Sequence, residues 1–323
     1  MFTTPILKVK RSILVAPLLL GILSASVVAQ TPSSAISHFN AGIKENKQNN
    51  FDRAIEEFTL AIEISSHPVQ HRAGGLRSSH LAGEAEVDST EETKTITVLD
   101  KFTAVAYANR CFARSHQGDF AGAIADCDQA VRISPRLAKG YLNRGVARSM
   151  VGDATAALID LSKAIEIDPN LVEAFVGRGS LRTGFGDIDG ALSDLNHALR
   201  LDQRSAAAYV FRGYALIAKG DMEGAISSFN KAIKLKQDFA AAYLGRGTAQ
   251  GFKNELALAI GDLTRALELD PTLAVAYENR GLVFLRQGKE AEATQDFRRC
   301  LTIDPGRKED LNNRIKVTRE LHH

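Results

Sequence analysis

From residue 104 to residue 305 the apolar positions follow a helical spacing, and one pattern returns every 34 residues. Residues 206–237 show a full period. Tyr209, Gly213 and Leu216 fall on one face of a first helix. Gly220 ends that helix, because glycine readily takes the left-handed conformation that closes one. Asp221 is placed to cap a second helix through its carboxylate. Ala225, Ile226, Phe229, Ala232 and Ile233 form that helix's apolar stripe, and Leu235 closes it. An aromatic marks each return, at Tyr107, Tyr141, Phe175, Tyr209, Tyr243 and Tyr277, and an arginine follows three residues later, at Arg110, Arg144, Arg178, Arg212, Arg246 and Arg280. The turn recurs as Gly118-Asp119, Gly152-Asp153 and Gly186-Asp187, then weakens to Asn254-Glu255 and Gly288-Lys289. Pro135, Pro169, Pro271 and Pro305 punctuate unit ends, where proline cannot continue a helix. A fixed period of this length predicts stacked helical hairpins, none able to bury its apolar face alone. Gly145, Gly179, Gly213, Gly247 and Gly281 predict close approach of the first helix to Ala157, Ala191, Ala225, Ala259 and Ala293 on the second.

This unit resembles the tetratricopeptide repeat (TPR). In residues 138–171 the family's aromatic, small, alanine, apolar, alanine and proline places hold Tyr141, Gly145, Ala157, Leu161, Ala164 and Pro169. Tyrosine or phenylalanine stands for the family's tryptophan, and arginine takes the usual leucine place, as in Asn143-Arg144-Gly145. Arg114, Arg148 and Arg182 stand where a second aromatic is usual. The resemblance covers 35–68 and 104–305, about seven units. It implies an all-α, right-handed superhelical solenoid of helix-turn-helix units plus a C-terminal capping helix over 306–323, contacting the array through Leu311, Ile315 and Leu321.

Outside the regular array the chain changes character. Lys8, Lys10 and Arg11 precede an apolar run from Ile13 to Val28, and Val27 and Ala29 offer small residues at a peptidase's spacing. Residues 1–29 are therefore expected to be a cleaved signal peptide; an uncleaved inner-membrane anchor is the alternative. The expected location is exported, periplasmic or secreted, in the style of a bacterium, with no stable membrane insertion once the leader is removed. Residues 30–68 form an atypical first unit, with Gly42, Ala54, Phe58, Ala61, Ile62 and Ile64 on the later units' apolar places and Asn49-Asn50 at the turn. Residues 69–103 break the period as an insertion loop, partly ordered at most, basic at first (His71, Arg72, Arg77, His80) and then acidic (Glu84, Glu86, Asp88, Glu91, Glu92). The alternation of Thr95-Ile96-Thr97-Val98 predicts a half-buried strand there. Such an insertion is either a solvated loop or a lid over a binding face.

The net charge of +2 is made of interspersed acids and bases, which gives no footprint for nucleic acid. Of the three cysteines, Cys111 and Cys127 face each other across one hairpin. They are open to two readings, a disulfide or two small buried hydrophobes. Cys300 reads as core. His116 and His197 fall on exposed helical positions without a nucleophile, and His67, His71 and His80 lack companion ligands at a metal-binding spacing. No phosphate loop or CxxC is present. No enzyme, cofactor or metal site is expected, and the recurrent arginines read as packing and inter-unit hydrogen bonding.

The family's groove is the remaining candidate. The resemblance implies that first helices line a concave surface holding a partner protein's peptide or helix. Here that lining would be Phe112, Leu142, Val146, Met150, Val176, Val210, Tyr214, Ile217, Leu244, Phe252, Leu282 and Leu285. Neighbouring first helices could instead bury part of this face. Asn109, Asn143 and Asn279 fit a partial ladder holding a peptide backbone, interrupted by Gly177, Phe211 and Gly245. The family's carboxylate clamp is rejected: Asn109 and Lys139 fit, but Phe39, Ile43 and Asn143 occupy places that need lysine, asparagine and arginine. The chain reads as a non-enzymatic scaffold or adaptor. A periplasmic chaperone or envelope assembly factor with many clients, or a self-associating array, are the alternatives, and the sequence leaves the oligomeric state open.

Overall fold

The computed structural model describes residues 31–66 and 89–320, with side chains from residue 100 onward in the second stretch. The expected signal peptide, His67, most of the insertion with His71 and His80, and Leu321 lie outside these residues. Contacts gather the chain into two compact units that divide between Ala174 and Phe175.

In the first unit, helices α1 (Ser33–Lys47) and α2 (Phe51–Ser66) form a hairpin, followed by α3 (Ser89–Gln117) with α4 (Phe120–Ile133), then α5 (Ala138–Met150) with α6 (Ala154–Ile167). Helix α7 (Val172–Gly184) begins at the division and pairs with α8 (Ile188–Leu201). The second unit continues with α9 (Ala206–Lys219) and α10 (Met222–Leu235), α11 (Ala240–Phe252) and α12 (Leu256–Leu269), and α13 (Ala274–Arg286) and α14 (Glu290–Ile303). A 3₁₀ turn (Pro305–Arg307) then leads into α15 (Lys308–Glu320). The described residues are all-α, with no strand.

The turn chemistry forms as the sequence predicts. Asp119, Asp153, Asp187 and Asp221 accept from the backbone N–H of Gly122, Ala156, Gly190 and Gly224 at 2.8–3.1 Å. Gly118, Gly152, Gly186, Gly220 and Gly288 have positive φ, and so do the asparagines at the two turns without glycine, Asn49 (60°) and Asn254 (64°). Asparagine is one of the few other residues that tolerates this region. Glu255 and Lys289 make no side-chain cap, which matches the weaker turns at those places.

One expectation is overturned. Thr95–Val98 is helix, not strand, and α3 begins at Ser89, so 89–103 is not a loop. Four alternating residues are too short a run to outweigh continuity with the helix that follows, since each added residue extends an existing helix at little cost.

The core of the first hairpins holds Phe39, Phe58 and Phe102, with Ala35, Ala54, Ala61, Ile62, Ala106 and Ala113. At the other end, Leu311 is buried against Ala274 and Cys300, and Ile315 packs beside them. Helix α15 thus caps the array as expected. Its grip is also electrostatic. Glu278 is wholly buried on α13 at the place where other first helices carry Leu142, Val210 or Leu244. It accepts from Arg307 Nε at 2.6 Å and from Arg314.

Candidate functional site

The most regular chemistry is a pair joining the two helices of each hairpin. Arg110, Arg144, Arg178, Arg246 and Arg280 each donate Nε and Nη2 to the two carboxylate oxygens of the aspartate sixteen residues on, Asp126, Asp160, Asp194, Asp262 and Asp296. All ten bonds are 2.7–2.9 Å long. This is the bidentate geometry that suits guanidinium to carboxylate. Each of the six recurrent guanidiniums also lies over the aromatic ring three residues before it, 5.1–5.8 Å from the centroid. Further bonds reach the preceding hairpin, from Arg144 to Asp128, Arg246 to Asn230 and Arg280 to Thr264. Burial alone would lower the Arg144 pKa; the bonds to Asp160 and Asp128 raise it on balance. The arginines are framework, as the sequence suggested.

The aspartates were missed, although they too repeat at 34 residues on the second helix. They also account for the second arginine. Arg114, Arg148 and Arg182 bind the same carboxylates, Asp126, Asp160 and Asp194, at 3.1, 2.8 and 2.8 Å. A cation therefore stands where the family's second aromatic is lost.

The expected groove residues divide by burial. In the first unit Leu142 is buried, while Phe112, Val146 and Met150 are half-buried. In the second, Val176, Val210, Leu244, Leu282 and Leu285 are buried, Ile217 is half-buried, and Phe252 is 48% exposed. Leu244 shows why: it packs in one cluster with Leu273, Ala276 and Val283 of the next hairpin. Tyr214 is a clear correction. Its ring packs edge-on to Phe229 at 5.3 Å and its hydroxyl donates to the Ala241 carbonyl at 3.2 Å. Burial pushes its pKa well above the usual tyrosine value. It holds α9 to its neighbours and is not a contact surface.

The asparagine ladder is also corrected. Asn109 donates its amide to the Val105 carbonyl of its own helix, Asn143 to the Ala108 carbonyl, and Asn279 to Thr248 Oγ1 while accepting from Arg314. Each thus spends one amide N–H within the chain, and Asn143 and Asn279 are buried. Phe39, one of the residues that rule out the carboxylate clamp, is core.

His116 is not exposed as expected. It stacks on Phe51 and meets Phe112, each with ring centroids 4.4 Å apart, and its Nε2 is buried without a hydrogen-bond partner. Burial holds it at about 4, below the usual 6.5. His197 is half-buried against Phe175, at 4.3 Å.

Cys111 and Cys127 form a disulfide across the α3–α4 hairpin. Cys300 is free and buried, and burial raises its thiol to about 11. Among the described residues no three His, Cys, Asp or Glu gather as a metal site, and no helix is long and apolar enough to cross a membrane. Apolar side chains left in solvent include Val151 and Phe185 just after first helices, and Ile159 and Leu258 on second helices.

Comparison with known proteins agrees with this geometry. Residues 213–251 match a family described as TPR repeat, and 244–308 one described as tetratricopeptide repeat. No curated protein matches the chain. Among solved structures, a tetratricopeptide repeat protein from Parabacteroides merdae is similar over 89% of this chain and 99% of its own, with a TM-score of 0.61 and 17% identity. The APC/C hetero-tetramer Cut9-Hcn1 is similar over 91% of this chain and 54% of that one (TM-score 0.63, 16% identity). A thermophilic TPR protein in Thermus thermophilus covers 56% of this chain and 98% of its own, with a TM-score of 0.51 and 23% identity. At these identities the likeness speaks to the fold.

Proposed function

We propose, from the premise that this chain is a tetratricopeptide-repeat protein, that it is a non-enzymatic scaffold which holds a partner protein against its first helices. One observation carries this reading. Five of the six recurrent arginines are paired with aspartates, each of the three groove asparagines spends an amide N–H on an internal bond, and Asn143 and Asn279 are buried. Among the expected groove residues, the apolar ones that packing leaves at least partly in solvent are Phe112, Val146 and Met150 in the first unit and Ile217 and Phe252 in the second. Recognition by an apolar segment or amphipathic helix suits that surface better than recognition of a peptide backbone. Phe252→Glu leaves the hairpin core intact and should reduce partner capture from the native host at least tenfold, with unchanged helical content. Undiminished capture by the folded variant would remove the apolar face from the reading.

We propose an exported location, periplasmic or secreted. The charged and apolar leader supports it, and so does the disulfide, a bond that persists in oxidising compartments. Fractionation of the native host with thiol alkylation tests it: the protein should lie outside the cytoplasm with two cysteines blocked from reagent.

A further inference from the structure

Arg212 stands apart from the other recurrent arginines. Sixteen residues on, where the others meet an aspartate, it meets Ser228. Its Nε donates to Ser228 Oγ at 3.1 Å, and that hydroxyl donates in turn to the Gly224 carbonyl. Its second contact, Nη1 to Asn196 Oδ1, is 3.5 Å long, and Asn196 stands where Asp128 serves Arg144. The aspartate place is therefore neutral at this one hairpin, and the second place, a carboxylate for Arg144 but a neutral group for Arg246 and Arg280, is neutral here too. Burial lowers the Arg212 pKa, with only Tyr209 acting to raise it.

The guanidinium nevertheless keeps the same place as its counterparts, with fewer and longer bonds. It lies 5.1 Å over the Tyr209 ring, and Ser228 fixes Nε. Arg212 is half-buried and Asn196 is exposed, so the Nη edge faces a surface that solutes can reach. A planar fork that is positioned in advance loses little freedom on binding a planar anion.

We infer that Arg212, framed by Tyr209, Ser228 and Asn196, is a binding site for a carboxylate supplied from outside the chain. The inference stands independently of the scaffold reading, because a small carboxylate can test it alone. Five hairpins show that this guanidinium takes a carboxylate; here Ser228 fills the Nε side, and the weakly engaged Nη1 end toward exposed Asn196 is left to another molecule.

The test follows the arginine Nε–H resonances of the full-length protein during titration with acetate, and separately with phosphate, at constant ionic strength. A saturable shift with acetate is expected at Arg212, with the other five recurrent arginines unmoved. Ser228→Asp should supply the carboxylate internally and abolish the acetate response. Asn196→Asp places a carboxylate at the second, exposed contact and should do the same without touching the core. Equal drift at all six arginines, a response to phosphate alone, or an acetate response that survives in both folded variants would overturn the assignment.

Discussion

At the scale of single residues, much of what the sequence left ambiguous comes down to one ring. Phe229 is wholly buried where other second helices carry Leu161, Leu195 or Leu263. It lies against two glycines, so that a Cβ at Gly213 would fall 2.5 Å from its Cζ and one at Gly245 closer still. Gly245 interrupts the asparagine series for this reason. Gly245→Ala would gain ~1 kcal/mol of helix propensity but would force the ring from its place, and overpacking of this kind costs about 1–3 kcal/mol. We expect net destabilisation, and Phe229→Leu should absorb it, so that in chemical denaturation the double variant loses less than the two single losses added. Additive losses would contradict this packing. His116 gives a pH signature of definite sign. Its folded pKa, about 4, lies below the usual 6.5, so its contribution is complete above 6.5 and fades as pH falls toward 4. A shift of this size is ~3 kcal/mol for a ring wholly out of water; for this half-buried ring about 1 kcal/mol is expected after allowing for solvent. His116→Phe should therefore narrow the stability lost between pH 7 and pH 5. The sequence showed that histidine on a helix, but not its burial, because Phe51 reaches it from another hairpin.

At the scale of elements, helix boundaries, caps and turns were legible because each depends on one or two local residues, Gly118-Asp119 or Asn254 among them. What covers an element was less legible. Apolar residues on both sides of α9 gave no means of telling an open face from one packed against the next first helix, and Val210, Tyr214 and Leu244 prove to be packed. The C-terminal cap shows the reverse case. Glu278 looks like a polar interruption of an apolar place, yet it holds α15 through Arg307 and Arg314. Removing one member of a buried ion pair leaves the other uncompensated, at a cost of about 3–5 kcal/mol. Glu278→Leu alone should therefore lower stability by roughly that amount. Glu278→Leu with Arg307→Leu and Arg314→Met should restore most of it, because apolar groups often replace such pairs without loss. Urea denaturation of the two variants checks the order, and a triple variant no better than the single one would assign the cap to its apolar contacts.

At the scale of the whole chain, the period of 34 residues made the class of fold plain, since repetition multiplies a weak local signal. The partner surface was not plain, because it consists of whatever packing leaves over. Repetition also governs how damage travels. Each hairpin is stabilised by itself and its nearest neighbours, so a loss at one is not shared evenly along the array. The disulfide tests this, because it joins Cys111 and Cys127 at the places where other hairpins set a glycine against leucine or phenylalanine. Reduction keeps both side chains, at the places that Gly247 and Leu263 take in a later hairpin, and removes only the cross-link. Closing a loop with a sequence separation of 16 residues contributes ~3 kcal/mol by the chain-entropy estimate. Hydrogen exchange after reduction should show amides of α3 and α4 losing protection, while α11 to α14 keep theirs. A uniform loss through α14 would mean that the hairpins fold as one cooperative body, and stability would then have to be reckoned for the entire chain.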